Sequence, residues 1–239
     1  MIDRPIVVAG APGNTWQVIG NVPLPVGIGG LLAGLVAVDN DVVVVGTLSD
    51  GTPSAWVSSD DGHSWTGPTA LPAAKGSSVA AIEYSGGEYV AVGESVGPSS
   101  GPGVWRSPDG ITWVSDDSSG TGSMAALRDT PSGLIAVGND GTGAAAIRSL
   151  DGASARLLRP PDLAELSSVA DLAGRLMVAS AAPVSQPIWQ LTTSGWEPVD
   201  VGEATTGTVH ALAASASSFA AAGDDGLTIR VVIGPAISP

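Results

Sequence analysis

Cysteine is absent from the 239-residue sequence, and lysine occurs once, at Lys75. Without cysteine the chain cannot form disulfide bonds, thiolate metal sites or a cysteine nucleophile. Basic side chains are few, since nine Lys and Arg stand against 23 Asp and Glu, which gives a formal net charge of −14. Nucleic-acid binding requires clustered Lys and Arg, and anionic membranes attract the same groups. The composition therefore argues against both kinds of partner.

Long hydrophobic runs are missing as well. No stretch long enough to cross a bilayer is free of polar breaks, so we expect no membrane span. The first residues do not resemble a signal peptide, because Asp3 precedes Arg4 and Pro5 stands before a short apolar run. The Ala-, Gly- and Val-rich, Lys-poor composition is typical of a high-GC bacterium. We expect a secreted or cell-envelope protein whose signal or anchor lies outside this chain, although a cytoplasmic location is also compatible.

A short apolar run that ends in Gly or Ser recurs five times along the chain. The runs are VVVVG to Gly46, YVAVG to Gly93, LIAVG to Gly138, LMVAS to Ser180 and FAAAG to Gly223. Their ends are separated by 47, 45, 42 and 43 residues. A second apolar segment precedes each run, and Gly, Pro, Asn, Asp or Ser residues lie between the two, which is typical of a tight hairpin.

Two further strands follow each hairpin, so the repeat contains four antiparallel strands in about 40 residues, as in a propeller blade. A β-sandwich also has many short strands, but it does not predict a fixed four-strand period. We therefore predict an all-β fold, a single β-propeller domain over 1–239 with about five four-stranded blades. The predicted blades cover 31–70, 77–117, 123–160, 165–201 and 207–233, with the N-terminal strand 14–20 closing the last blade. PIVVAG at 5–10 competes for the third-strand position of that blade, so additional blades in a longer protein are an alternative.

The turn between the third and fourth strands carries the pattern SxDGx[ST]W, which resembles the Asp-box of sialidase-type (BNR) repeats. Its members are Ser59, Asp61, Gly62 and Trp65; Ser107, Asp109, Gly110 and Trp113; and, with Ala155 in place of the aromatic residue, Ser149, Asp151 and Gly152. The Asp and Ser side chains can accept hydrogen bonds from turn amides, while Gly supplies a positive φ and Trp fills the gap towards the next blade. We predict that these residues determine the fold and take no part in catalysis.

The resemblance also raises the possibility of sialidase chemistry, which in that family requires three arginines, a tyrosine with a glutamate partner and an acid/base aspartate. The early Arg-Ile-Pro motif of the family is here Arg4-Pro5-Ile6, in the wrong order. Tyr84 and Tyr89 are the only tyrosines and flank one hairpin, where cross-strand packing is the favoured role. We assign no catalytic residue, no cofactor and no metal site, and whether the protein is an enzyme stays open.

Acidic residues occupy corresponding positions just after the second strands. They are Asp50, Glu94, Asp140, Asp224 and Asp225. A ring of carboxylates at one mouth of the propeller channel would attract a cation or a basic segment of a partner. His210 lies on a first strand, and we expect a hydrogen-bonded core histidine there, with a place in this binding site as the alternative.

Two classes of function remain. The favoured one is a non-catalytic, monomeric module of a bacterial secreted or cell-surface protein that binds a protein or glycan partner, a cationic partner being one candidate. The alternative is a glycan-acting hydrolase related to sialidases. Arginines that converge with a Tyr–Glu pair would favour the enzyme, whereas a channel lined by small and aliphatic residues would favour the module.

Overall fold

The computed structural model describes residues 5–9, 15–97, 100–116, 120–131, 133–151, 160, 163, 165–200, 208–224 and 229–235. Twenty β-strands and no helix occur in this part of the chain. No described segment forms a helix that could span a membrane. The chain divides into two compact units, unit 1 over Met1–Ser119 and unit 2 over Gly120–Pro239.

Unit 1 contains one two-stranded and two four-stranded antiparallel sheets, in the orders β1-β2, β3-β4-β5-β6 and β7-β8-β9-β10. Its strands are β1 (Ile6–Ala9), β2 (Gln17–Asn21), β3 (Gly30–Val38), β4 (Asp41–Leu48), β5 (Pro53–Ser58), β6 (Thr66–Ala70), β7 (Ser78–Ser85), β8 (Glu88–Ser95), β9 (Gly101–Ser107) and β10 (Val114–Asp116). The predicted four-stranded antiparallel unit is therefore present twice in unit 1.

Unit 2 contains sheets of three, four and three described strands, in the orders β11-β12-β13, β14-β15-β16-β17 and β18-β19-β20. Its strands are β11 (Ser123–Thr130), β12 (Gly133–Asn139), β13 (Ala145–Ser149), β14 (Leu166–Leu172), β15 (Arg175–Ser180), β16 (Ile188–Thr192), β17 (Gly195–Pro198), β18 (Thr208–Ala214), β19 (Ser218–Asp224) and β20 (Ile229–Pro235). Each first strand pairs with the second through a hairpin, as the sequence predicted.

A β-bulge interrupts every pair of first and second strands at the same position. The extra residue of the first strand is Ala33, Ala80, Ala125, Ser167 or His210. The glycine that ends the second-strand motif lies against this bulge. A Cβ added at Gly93 would lie 2.0 Å from the backbone oxygen of Ser78, and one at Gly138 would lie 2.0 Å from that of Ser123. The recurring glycine is therefore required by the close approach of two backbones.

The core of each unit lies between its sheets. In unit 1, Val43, Val45, Trp105 and Trp113 belong to one cluster of buried side chains. In unit 2, aliphatic residues dominate, and Phe219 is the single aromatic residue among the buried members of its two described clusters. The second strands are buried along most of their length, which explains why their sequences are continuous apolar runs without alternation.

The N-terminal sheet corresponds to the outer half of a repeat. Val22 donates its backbone N–H to Pro5 O at 3.1 Å, just as Leu71 donates to Pro53 O at 2.9 Å at the junction of a third and a fourth strand. Strands β1 and β2 therefore occupy third- and fourth-strand positions. In the structure, β2 pairs with β1. The sequence analysis instead predicted that this N-terminal strand pairs with a strand of the last repeat. Closure of the last repeat and the number of blades stay predictions.

Candidate functional site

The second Asp-box-like turn has the hydrogen bonds expected of a structural motif. Asp109 Oδ1 accepts the backbone N–H of Thr112 at 2.7 Å and of Ile111 at 2.8 Å, and the hydroxyl of Ser107 at 3.0 Å. The N–H of Thr112 is the main cause that lowers the pKa of Asp109 from 3.8 to about 2. Trp113 donates its indole N–H to Gly110 O at 2.8 Å, so the ring closes the turn.

The first turn corrects the sequence assignment by one residue. Asp60, rather than Asp61, accepts the hydroxyl of Ser64 at 2.6 Å, and Ser58, rather than Ser59, donates to Asp60 at 2.8 Å. The Ser64 hydroxyl is the largest cause that lowers the pKa of Asp60 to about 2. Asp61 is an extra residue in this turn, with φ of 58° and its N–H bound to Asn40 O.

The first and second turns nevertheless end alike. Trp65 donates its indole N–H to Gly62 O at 2.9 Å, as Trp113 does to Gly110 O. Gly62 and Gly110 have φ of 87° and 72°, which side chains rarely adopt. A Cβ on Gly110 would also lie 2.7 Å from Val43, a residue of the preceding repeat. The turn therefore connects neighbouring sheets within unit 1.

The third turn differs from the other two. Asp151 Oδ2 accepts the backbone N–H of Leu134, 2.5 Å away on the second strand of its own repeat. The hydroxyl of Ser149 is buried and has no hydrogen-bond partner among the described residues. Gly152 lies outside the described residues. In this repeat the aspartate therefore supports a hairpin of its own sheet.

The tyrosines form a packing pair. Tyr84 and Tyr89 are directly paired across β7 and β8, and their rings meet edge to face with centroids 4.9 Å apart. Tyr89 is buried, and burial is the main cause that raises the pKa of its hydroxyl. The cross-strand role that the sequence favoured is the one that the structure describes, and Tyr89 belongs to the core of unit 1.

Two ends of the sheets can be distinguished within each unit. We call the end at which second strands lead into third strands the loop end, and the end with the first-to-second hairpins the turn end.

Asp50 and Glu94 lie at the loop end of unit 1. Asp50 accepts a hydrogen bond from Lys75 Nζ at 3.0 Å, and this bond is the largest cause that lowers its pKa. Glu94 is exposed.

The loop end of unit 2 carries more hydrogen-bonded polar side chains than were described above for unit 1. Asp140 accepts the N–H and the hydroxyl of Thr142 at 2.9 and 2.7 Å, and these bonds fix the carboxylate within its own loop. The side-chain amide of Asn139 donates to Ser123 at 2.9 Å and to Glu165 at 3.4 Å. Polar side chains of two adjacent repeats are thereby joined at this end.

His210 is the residue for which the sequence expectation of a core position was wrong. It is the bulged residue of β18, and its side chain is 60% exposed. Its Nε2 contacts Asp224 Oδ2, at the end of β19. The hydroxyl of Ser167, which occupies the bulge of the preceding repeat, donates to Val209 O at 2.5 Å. Asp225, also predicted for this site, lies outside the described residues.

Sequence reasoning missed Asn139, Glu165 and Ser167. The signal that could have identified Ser167 is the bulge position itself, which holds alanine in three repeats, serine in one and histidine in one. Among the described residues, no group of three His, Asp or Glu side chains is placed to hold a metal ion.

No protein-family model and no curated protein matches the chain. Solved structures do match. The nidogen/laminin complex aligns with a TM-score of 0.62 at 13% identity, over 90% of this chain and 79% of that chain. YCF48 bound to D1 peptide aligns with a TM-score of 0.53 at 18% identity, over 92% and 71% of the two chains. The WD40 β-propeller domain of Doa1 gives 0.53 at 17% identity, over 84% and 64%.

The fold is an all-β propeller. The similarity extends over most of the chain and rests on the arrangement of the antiparallel sheets, because fewer than one residue in five is identical. The comparisons do not extend to the Asp-box type of repeat, which stays a prediction from the motif.

Proposed function

We propose that this protein is a non-catalytic binding module whose loop end in unit 2 receives a basic peptide segment of a partner protein. The observation that carries the proposal is the contact between His210 and Asp224 at the end of unit 2 that also carries the carboxylates of Asp140 and Glu165. These groups lie on strand ends and on a loop that is fixed by its own hydrogen bonds. A preorganised acidic surface loses little conformational entropy when it binds.

Electrostatics favours a cationic partner. The chain carries a net charge of −14, so its field attracts basic segments before contact is made. The side chain of His210 contacts a carboxylate and is itself exposed, which suits a side chain that meets a ligand.

The similar structures support a peptide or protein as the partner by analogy of fold. One is described as YCF48 bound to D1 peptide and another as a nidogen/laminin complex. The hydrolase alternative is less favoured, because Tyr84 and Tyr89 are engaged with each other in packing. We retain the expectation of a monomeric module in a bacterial secreted or cell-surface protein.

The test is a titration of the full chain with fluorescently labelled peptides that are rich in lysine, at low and at physiological ionic strength. Asp224→Asn and Asp140→Asn should each weaken binding about three- to fivefold, since each removes one partly exposed charge, and salt should weaken it further. Asp39→Asn removes the same charge at the turn end of unit 1 and serves as the matched control. Equal effects of all three substitutions, or no binding of cationic peptides at low salt, would contradict the proposal.

A further inference from the structure

Strand β1 is bound by a neighbouring strand on one edge only within the described part of the chain. It occupies a third-strand position, and every other described third strand is paired on its inner edge with a second strand. Pro5 O accepts the N–H of Val22 on the β2 side. Because the backbone groups of successive residues point to opposite edges of a strand, the N–H and C=O of Ile6 point away from β2. We call this side the open edge of β1, and it presents hydrogen-bonding groups to a further strand.

The open edge lacks the features that oppose strand addition at other sheet edges of unit 1. Charged residues and proline commonly protect such edges. The sequence of β1 is IVVA, which contains neither. At the outer edges of the two four-stranded sheets, β6 carries Pro68 and β10 carries Asp116. The backbone of β1 is therefore suited to pair with an added strand.

Leu35 on β3 is 53% exposed, although the residues at the same position of the other first strands are buried. Those residues are Ile82, Leu127, Val169 and Leu212, and each is at most 8% exposed. Ile82 belongs to one buried cluster with Val43 and Val45, which lie on the second strand of the preceding repeat. Leu35 therefore occupies a position that a preceding second strand covers elsewhere.

Both observations concern the second-strand position of the N-terminal repeat. In the next repeat, the single strand β4 pairs with the third strand β5 and also covers Ile82. A strand at the corresponding N-terminal position would likewise pair with β1 and cover Leu35. We propose that the open edge of β1 receives an extended, apolar strand of a partner protein, which pairs antiparallel with β1.

The described part of this chain has no second strand that could fill this position. The second strands are β4, β8, β12, β15 and β19, and each is paired on both edges. A second copy of the chain has the same pairings. The added strand therefore comes from a different protein. Its composition follows from the second strands of this fold, which are short aliphatic runs buried along most of their length.

The experiment titrates the full chain with a labelled, blocked nonapeptide that copies residues 87–95, with Glu88→Gln and Glu94→Gln to remove its charges. Two further versions carry backbone N-methyl groups. The methylated positions are Ala91 and Gly93 in one version and Val90 and Val92 in the other. Because N–H groups alternate between the edges of a strand, one version should bind about tenfold more weakly than the parent peptide, and the other should bind equally well.

A pair of substitutions in β1 tests the hydrogen bonds from the protein side. Ile6→Pro removes the N–H that faces the open edge and should weaken binding about fivefold, whereas Ile6→Ala retains this N–H and is the matched control. Protection of the Val22 N–H from hydrogen exchange shows that β1 remains in place, since this group donates to Pro5 O.

A second pair of substitutions tests the apolar contact. Leu35→Ser should weaken binding about tenfold, because the leucine side chain is covered only in the complex. Val114→Ser changes a residue of β10 that is 59% exposed, and it should leave binding unchanged.

Four results would overturn the proposal. They are the absence of peptide binding, equal binding of the two methylated versions, equal binding by the two variants of either pair, and a dimer of the free chain that Ile6→Pro dissociates. The proposal is independent of the loop-end function, because the nonapeptide carries no charge. Lysine-rich peptides that respond to Asp224→Asn while the nonapeptide fails to bind would retain the loop-end function alone.

Discussion

The two units build the same repeat with different side chains. In unit 1, two complete turns closed by Trp65 and Trp113 hold the third strand to the fourth, and Trp56 and Trp105 are almost fully buried. In unit 2, Asp151 of the corresponding turn binds Leu134 in its own hairpin, and the core is largely aliphatic. The Asp-box-like turn is therefore one way to fix a blade, and the repeat persists where that turn has changed.

What both units share is the bulge and the small residue opposite it. Gly46 and Gly93 in unit 1 and Gly138 and Gly223 in unit 2 face a bulged backbone, and Ser180 takes this position once. Backbone geometry therefore defines the repeat more consistently than the turn motif does. Substitutions at the glycine, at the third-strand tryptophans and at the turn can separate what the two units share from what is particular to unit 1.

The largest loss of stability is expected at the glycine opposite the bulge, which both units share. Gly93→Val and Gly138→Val each place a side chain against a backbone oxygen that lies 2.0 Å from the position of the added Cβ. We expect each substitution to lower the free energy of unfolding by about 3 kcal/mol, because a packed backbone cannot move away. Urea denaturation followed by far-UV circular dichroism measures this. If only the unit 1 variant were destabilised, the bulge would not be the shared determinant.

We expect a smaller loss of stability when a tryptophan on a third strand is replaced by phenylalanine, and we expect this loss to differ between the two units. Trp56 is fully buried and donates its indole N–H to Pro23 O at 2.7 Å, whereas Trp189 is half-buried and donates to Gln186 O within its own loop. Trp56→Phe leaves a cavity and an unpaired carbonyl, so we expect a loss of about 2 kcal/mol. Trp189→Phe serves as the matched substitution and should cost less than half as much. Thermal unfolding of both variants tests the difference, and equal losses would contradict it.

The general architecture could be predicted because local signals agreed. The period of the apolar runs and the turn residues located the hairpins, and the structure confirms four-stranded antiparallel sheets. The choice between Asp60 and Asp61 could not be made in this way, because SSDDG contains two serines and two aspartates, and an extra residue changes the spacing to Trp65. Alignment on the tryptophan therefore selected the wrong pair.

The site was harder to predict than the fold, for a physical reason. A bulge changes the alternation of side chains along a strand, so the residue at the bulge cannot be assigned to a face by counting. His210 is exposed for this reason. Contacts between repeats, such as the hydrogen bond from Ser167 to Val209 O, require two sheets to approach one another, and no local pattern encodes that distance.

The smallest expected effect on stability concerns the second Asp-box-like turn of unit 1, in which the carboxylate of Asp109 is ionised. The folded-state pKa of Asp109 is about 2, below its usual 3.8, so the carboxylate stabilises the fold above about pH 4 and loses this contribution as the pH falls towards 2. Asp109→Asn should therefore make unfolding less dependent on pH across this interval, although the group is exposed and the change will be small. Urea midpoints at pH 2.5, 3.5 and 5 measure it by tryptophan fluorescence, which reports mainly on unit 1, where five of the seven tryptophans lie. Asp61→Asn, which changes the extra residue of the neighbouring turn, is the matched control, because Asp60 accepts the hydrogen bonds of that turn. If both substitutions reduced the pH dependence of the urea midpoint equally, the hydrogen bonds of the Asp109 turn would not determine how stability falls in acid. The difference between the two units at this motif would then depend on the tryptophans alone.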